Sequence, residues 1–165
     1  MSSGDGLTLE TLIARAEISD VVHRYATGVD RRDWALYRSI FADEVDFDFT
    51  TWSGGEPRRL AADQWVAGVR DALSGFDATQ HMSSNHVHTI EGETATCVSY
   101  MVARHYLVDA GGRRMQSLGG FYTNRLRLAP LGWKIEACKL TVTWEMGDRG
   151  LFQIAAKRWA ERSAV

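Results

Sequence analysis

A dominant charge is the first thing this sequence lacks. Nineteen Lys and Arg stand against 21 Asp and Glu, a net charge of −2, and the arginines do not gather into one run, so nothing points to nucleic acid. No apolar stretch approaches the roughly 20 residues of a membrane span. The opening "MSSGDGLTLE" lacks the basic and apolar regions of a signal peptide, which makes a cytoplasmic home the expectation. Cysteine is scarce as well. Cys97 and Cys138 lie far apart in strand-like segments and read as buried thiols rather than a disulfide or a metal pair. Repeats, low-complexity segments and linkers are absent, so the 165 residues are expected to form a single domain over 1–165, with 149–165 as a C-terminal helix or tail.

Aromatic side chains, by contrast, are plentiful: six Trp, six Phe and five Tyr. Large rigid rings can wall a cavity as well as fill a core. Residues 7–29 carry a helical stripe through Leu9, Leu12, Ile13, Ala16, Ile18, Val21, Val22, Tyr25 and Val29, since spacings of three and four fall on one helix face. Gly28 is the natural stop. Asp33 can cap a second helix bearing Trp34, Tyr37, Ile40 and Phe41. "VDFDF" alternates like a half-buried strand, "TTWSGGEPRR" reads as a turn region, and Asp63 can cap a third helix.

From residue 79 onward, long alternating segments are separated by the turn sequences "EGE", "DAGG" and "APLG", the signature of antiparallel hairpins. Helices first and strands afterwards argue an α+β domain with helices on one face of a sheet. Gly119-Gly120 inside a strand predicts a bulge that curls the sheet around a pocket.

Within this frame certain polar residues sit in apolar places. His86 and His88 form a His-x-His pair, a spacing found in metal sites, but a metal needs about three protein ligands and no third is fixed by the sequence. A solvated strand face is the plainer expectation, and no metal is assigned, although His86 could reach the rim of a pocket. His81 opens a strand, and His105 sits deep in the apolar segment "MVARHYLV". An imidazole is the commonest general base near neutral pH, and it needs a partner to fix its tautomer. Asp30 suits that role. It continues the apolar stripe past Val29, at a helix C-terminus where an acid is electrostatically disfavoured, while Asp33 serves as the local cap and Arg31 to Trp34 turn the chain in solvent. Tyr25, one turn earlier, offers a phenol as hydrogen-bond or proton donor.

The segments "YATGVDRRDWALYRSIFADEVDFDF", "TQHM" and "GGFYTNRLRLAPLGWKIEACKLTVTWE" resemble the SnoaL-like branch of the NTF2-like superfamily over about residues 8–148. That branch includes scytalone dehydratase, bile acid 7α-dehydratase and hexachlorocyclohexane dehydrochlorinase. The resemblance implies a cone: a curved, mixed or antiparallel sheet with about three N-terminal helices enclosing a pocket. It implies an Asp–His general base at Asp30 and His81, with His105 and Tyr25 as further catalytic positions. Positions where scytalone dehydratase has a tyrosine and an amide hold Phe49 and Tyr122, which points away from scytalone itself. The function expected is a cofactor-independent, dehydratase-like lyase acting on a small hydrophobic cyclic alcohol or ketone. An isomerase or polyketide cyclase using the same residues is the nearest alternative, and a noncatalytic binding module the next. Trp34, Phe49, Trp52, Tyr122 and Trp144 are expected to line the pocket. A homo-oligomer, trimer or dimer, is also implied, with neither metal nor organic cofactor.

Overall fold

The alternating segments after residue 77 become four long strands: β3 (Ala78–Glu91), β4 (Thr94–Asp109), β5 (Gly112–Ala129) and β6 (Gly132–Gly147). Consecutive pairs are antiparallel and joined by the short turns the sequence marks. The computed structural model describes residues 7–164. β1 (Phe41–Asp48) adds to β6 in parallel, and β2 (Arg58–Ala61) closes that edge against β1. The result is a mixed six-stranded sheet in the order β2-β1-β6-β5-β4-β3, curved as the cone expectation required.

Helix α1 (Leu9–Arg31) lies over the inner face of the sheet, against β3 and β6. Thr8 and Thr11 form its capping box. Ile18, Val21, Val22, Tyr25 and Val29 are its buried residues, whereas Leu9, Leu12 and Ile13 at the start of the same stripe are exposed. Gly28 does not end α1. A Cβ on it would lie 2.9 Å from Tyr37, so the glycine lets α2 (Trp34–Ser39) cross closely. The stop is Arg32, left-handed at φ 59°, and Asp33 caps α2 by accepting from the Leu36 amide.

"TTWSGGEPRR" is more ordered than a turn: it holds the short helix α3 (Thr50–Ser53) and the start of β2. Asp63 is not the cap of α4 (Ala62–Leu73). Ala61 holds that position, and Asp63 lies in the first turn, paired with Arg38 at 2.6 Å. The last segment is a full helix, α5 (Leu151–Ser163), packed on α4. Cys97 and Cys138 are buried free thiols, as expected.

The bulge falls where Gly119-Gly120 predicts it, and its consequence reaches the pocket. Tyr122 opposes Leu140 and Gly120 opposes Val142, but Leu118 opposes Glu145 rather than Trp144. One extra residue in β6 exchanges the two faces beyond it. Trp144 therefore stands on the outer face, 46% exposed, with its ring over Gly119 where a Cβ would approach to 2.2 Å. Met82, Tyr100, Met115 and Met146 are exposed as well, and register puts them on that same outer face. No helix among the described residues is long and apolar enough to cross a membrane.

Candidate active site

Between the inner face, α4 and α5 lies a cavity of about 250 Å³. Tyr25, Phe49, Trp52, His81, His105 and Tyr122 all line it, joined by Trp65, Leu118, Leu140 and Phe152. Two expected wall residues are elsewhere. Trp144 is turned outward by the bulge. Trp34, at the start of α2, sets its ring edge-on against Tyr37 at 6.3 Å, because Tyr37 and not Trp34 is the residue of α2 that points inward.

The Asp30 carboxylate meets His81 twice. Its Oδ1 accepts from the His81 ring Nδ1 at 2.7 Å, and its Oδ2 accepts from the His81 backbone N–H at 2.7 Å. Oδ1 also accepts from the Thr79 hydroxyl at 2.9 Å. Burial pushes the Asp30 carboxyl up, but hydrogen bonds and charge from His81 and the Thr79 hydroxyl outweigh it, so the acid lies below its ordinary value. Because an ionised carboxylate only accepts, His81 Nδ1 donates to it, which makes Nε2 the nitrogen with the lone pair in the neutral imidazole.

A domain model described as a SnoaL-like domain matches residues 10–139. The chain belongs to the SnoaL-like family. A SnoaL-like chain sits within the NTF2-like superfamily. A protein from Kribbella flavida is 28% identical with a TM-score of 0.80, covering 89% of this chain and 99% of that one. A proposed scytalone dehydratase of Novosphingobium aromaticivorans is 17% identical with a TM-score of 0.75, covering 87% and 93%. The hexachlorocyclohexane dehydrochlorinase of Novosphingobium barchaimii is 19% identical with a TM-score of 0.68, covering 86% and 94%. At 17% and 19% identity the likeness is one of fold. No curated protein matches the chain by sequence.

Several residues of this SnoaL-like site escaped the sequence. Arg32, expected to turn the chain in solvent, donates to the carbonyls of Val29 and Leu73 and to the Thr79 hydroxyl at 2.7 Å. Its cation thus caps the C-terminal end of α1, where Asp30 is disfavoured, and aims the Thr79 proton at Asp30. Thr79 precedes His81 by two residues in one strand, a same-face spacing that was a usable signal. Gln116 had none. It is fully buried, and its Nε2 donates to Glu145 Oε1 at 3.1 Å. That orients its Oε1 toward His105 Nδ1 at 2.9 Å, so Nδ1 bears the proton and Nε2 is bare.

His105 packs against Phe76 and Phe152, with ring centroids at 5.3 and 4.7 Å, and meets the His81 ring edge-on at 5.5 Å. Burial first, then the neighbouring His81, lowers its pKa from 6.5 to about 3, against the opposing help of Gln116. His105 is therefore a neutral acceptor, not an acid. The Tyr122 hydroxyl donates to that of Tyr25 at 3.3 Å. Burial, reinforced by Tyr122 and Tyr37, raises the Tyr25 phenol well above its ordinary value, and burial raises Tyr122 likewise. Both phenols stay protonated and serve as hydrogen-bond donors.

The His105 shift makes a stability prediction. Below pH 6.5 the unfolded chain takes up a proton at His105 that the folded chain refuses, so folding loses up to about 1.4 kcal/mol per pH unit on acidification. That loss runs down to about pH 3, the folded-state value. His105→Gln still donates to Gln116 but cannot titrate, so its stability should fall less steeply between neutral pH and about pH 5. Denaturant unfolding of both proteins at the two pH values tests this, and equal slopes would overturn it.

Proposed function

We propose that the chain is a dehydratase-like lyase, using His81 and Asp30 on a small hydrophobic cyclic substrate that carries a carbonyl or an equivalent activating group. The observation that carries this reading is the double contact between Asp30 and His81 at 2.7 Å at the wall of an aromatic cavity. A carboxylate that fixes the tautomer of an imidazole and stabilises the imidazolium is the standard support for a histidine base.

In this reading His81 Nε2 removes the proton next to the carbonyl, and the electron pair moves onto the carbonyl oxygen. A hydrogen bond from Tyr25, whose hydroxyl accepts from Tyr122 and so keeps its own proton free, stabilises the oxyanion that forms. Return of the electron pair expels a hydroxyl from the neighbouring carbon as water, protonated by the imidazolium just formed on His81. His105, with Nε2 bare, accepts from the substrate hydroxyl and orients it. Of the two roles the sequence offers Tyr25, hydrogen-bond donor or proton donor, the burial that raises its phenol favours the first, and the Gln116 contact that leaves His105 Nε2 bare leaves the leaving-group proton to His81.

The cavity volume suits a substrate of one or two rings, and no Lys, Arg, Asp or Glu is among its lining residues, so an uncharged substrate fits best. The structural neighbours named as a dehydratase and a dehydrochlorinase belong with eliminations of this type. The test is a panel of uncharged cyclic β-hydroxy ketones incubated with the protein, with products weighed by mass spectrometry. Loss of water is the expected outcome. Products of unchanged mass would replace the lyase by an isomerase, and no turnover across the panel would favour a binding module.

A further inference from the structure

Away from the cavity, a second cluster lies between α1 and the edge of the sheet. The His-x-His pair is not a solvated strand face: His86 and His88 are half-buried, with their nitrogens turned to α1. Ser19 of α1 stands between them, its hydroxyl 3.0 Å from His86 Nδ1 and 2.9 Å from His88 Nε2. The other His86 nitrogen is 2.9 Å from the Ser83 hydroxyl. The other nitrogen of His88, Nδ1, is buried and has no partner. A buried polar atom without a partner is costly and asks for an explanation.

Strand register supplies a neighbour for it. His88 opposes Cys97 across β3 and β4, and Cys97 opposes Asn124 across β4 and β5. Cys97 is fully buried, and one ligand atom from each of His86, His88 and Cys97 lies within 4.8 Å of the other two. Asn124, next in the same row, also has its Oδ1 buried without a partner. The third ligand that the sequence left unspecified is thus on the adjacent strand.

We propose that His86, His88 and Cys97 form a zinc site that ties β3 to β4 beneath α1, separate from the catalytic cavity. Two imidazoles and a thiolate are the donor set zinc prefers, and tetrahedral binding sets such ligand atoms about 3.5 Å apart. The cluster reaches that spacing by a contraction of roughly 1 Å, within reach of side-chain rotation. A water completes the tetrahedron, while Ser19 Oγ holds the His88 ring by its far nitrogen, Nε2. Burial lowers both histidines, with His23 and His88 adding to it at His86 and Arg15 at His88, so both imidazoles are neutral and open to a metal. Burial raises the Cys97 thiol to about 11; zinc displaces its proton to solvent as the metal–sulfur bond forms.

Cobalt(II), which takes the same geometry and reports thiolate ligation by a near-ultraviolet charge-transfer band, is the probe. Metal-stripped protein titrated with Co²⁺ should develop that band at one equivalent and lose it when Zn²⁺ is added. Cys97→Ser should lack the band, and His86→Ala and His88→Ala should each weaken Co²⁺ binding by about 100-fold or more. Zn²⁺ should raise the thermal midpoint of the wild-type protein and not that of His88→Ala. His86→Ala alters a half-exposed edge position and leaves the core intact, so a folding failure of Cys97→Ser does not remove the test. Absence of a band in the wild type at saturating Co²⁺, or an undiminished band in Cys97→Ser, overturns the site.

Discussion

His81→Ala is expected to lower the turnover number by 10²-fold to 10⁴-fold, the usual contribution of a positioned general base, with little change in the thermal midpoint. His81 lies on the wall of a cavity, so removing its ring leaves no closed void of the kind that destabilises a core. Asp30→Asn is the sharper companion. The single carbonyl oxygen of an asparagine can stand where Oδ1 accepts from the Thr79 hydroxyl and the His81 ring, or where Oδ2 accepts from the His81 amide, but its amide NH2 then opposes the remaining N–H donor. The His81 tautomer is then no longer imposed, and no negative charge stabilises the imidazolium. Turnover should fall by a comparable factor while substrate binding, measured by calorimetry, changes little. Full activity in a folded His81→Ala protein would sink the mechanism. Loss of folding in Asp30→Asn with activity retained in His81→Ala would leave the pair a structural contact.

The difference between what could and could not be read in advance is a difference between local and long-range constraints. Asp30 was legible because an acid continuing an apolar helical stripe has no local purpose. The hairpins of β3 to β6 were legible because alternation and turn residues are set within a few positions of each other. Trp144 was misplaced because the two-residue period from Cys138 to Trp144 looks unbroken in the sequence, while the extra residue that flips it is defined only by pairing with β5. Gln116 was invisible for the same reason, since its purpose lies on the neighbouring strand at His105. His86 and His88 looked like two ligands in search of a third because Cys97 joins them only through the β3–β4 register. Gly28 looked like a helix stop, and its true role is the close approach of Tyr37. Helix caps sat between these cases: Asp33 acts as the sequence indicates, whereas Asp63 is drawn off by Arg38.

Gly75→Ala and Gly68→Ala should move stability in opposite directions, although the two positions are seven residues apart in and just beyond α4. A Cβ at Gly75 would sit 1.8 Å from the backbone carbonyl oxygen of Ala155 and 2.6 Å from its carbon. That neighbour is a fully buried point of α5 and cannot swing aside as a side-chain tip would, so α5 must lift. Overpacking of this kind costs about 1–3 kcal/mol, and a backbone clash belongs at the upper end. For a chain of this size that is a fall of roughly 4–10 °C in the thermal midpoint. The displacement also reaches the cavity, because α5 brings Phe152 against Trp52, Phe76 and His105 at 5.5, 5.2 and 4.7 Å. Weaker substrate binding should accompany the loss of stability. Gly68 has nothing within 4 Å of the added methyl and lies exposed in the interior of α4. There alanine gains up to about 1 kcal/mol of helix propensity, and the midpoint should rise by a few degrees. Thermal unfolding of the two variants beside the wild type reads both signs in one experiment. A Gly75→Ala protein as stable as the wild type would mean that α5 is not seated against α4 in solution as closely as it is here.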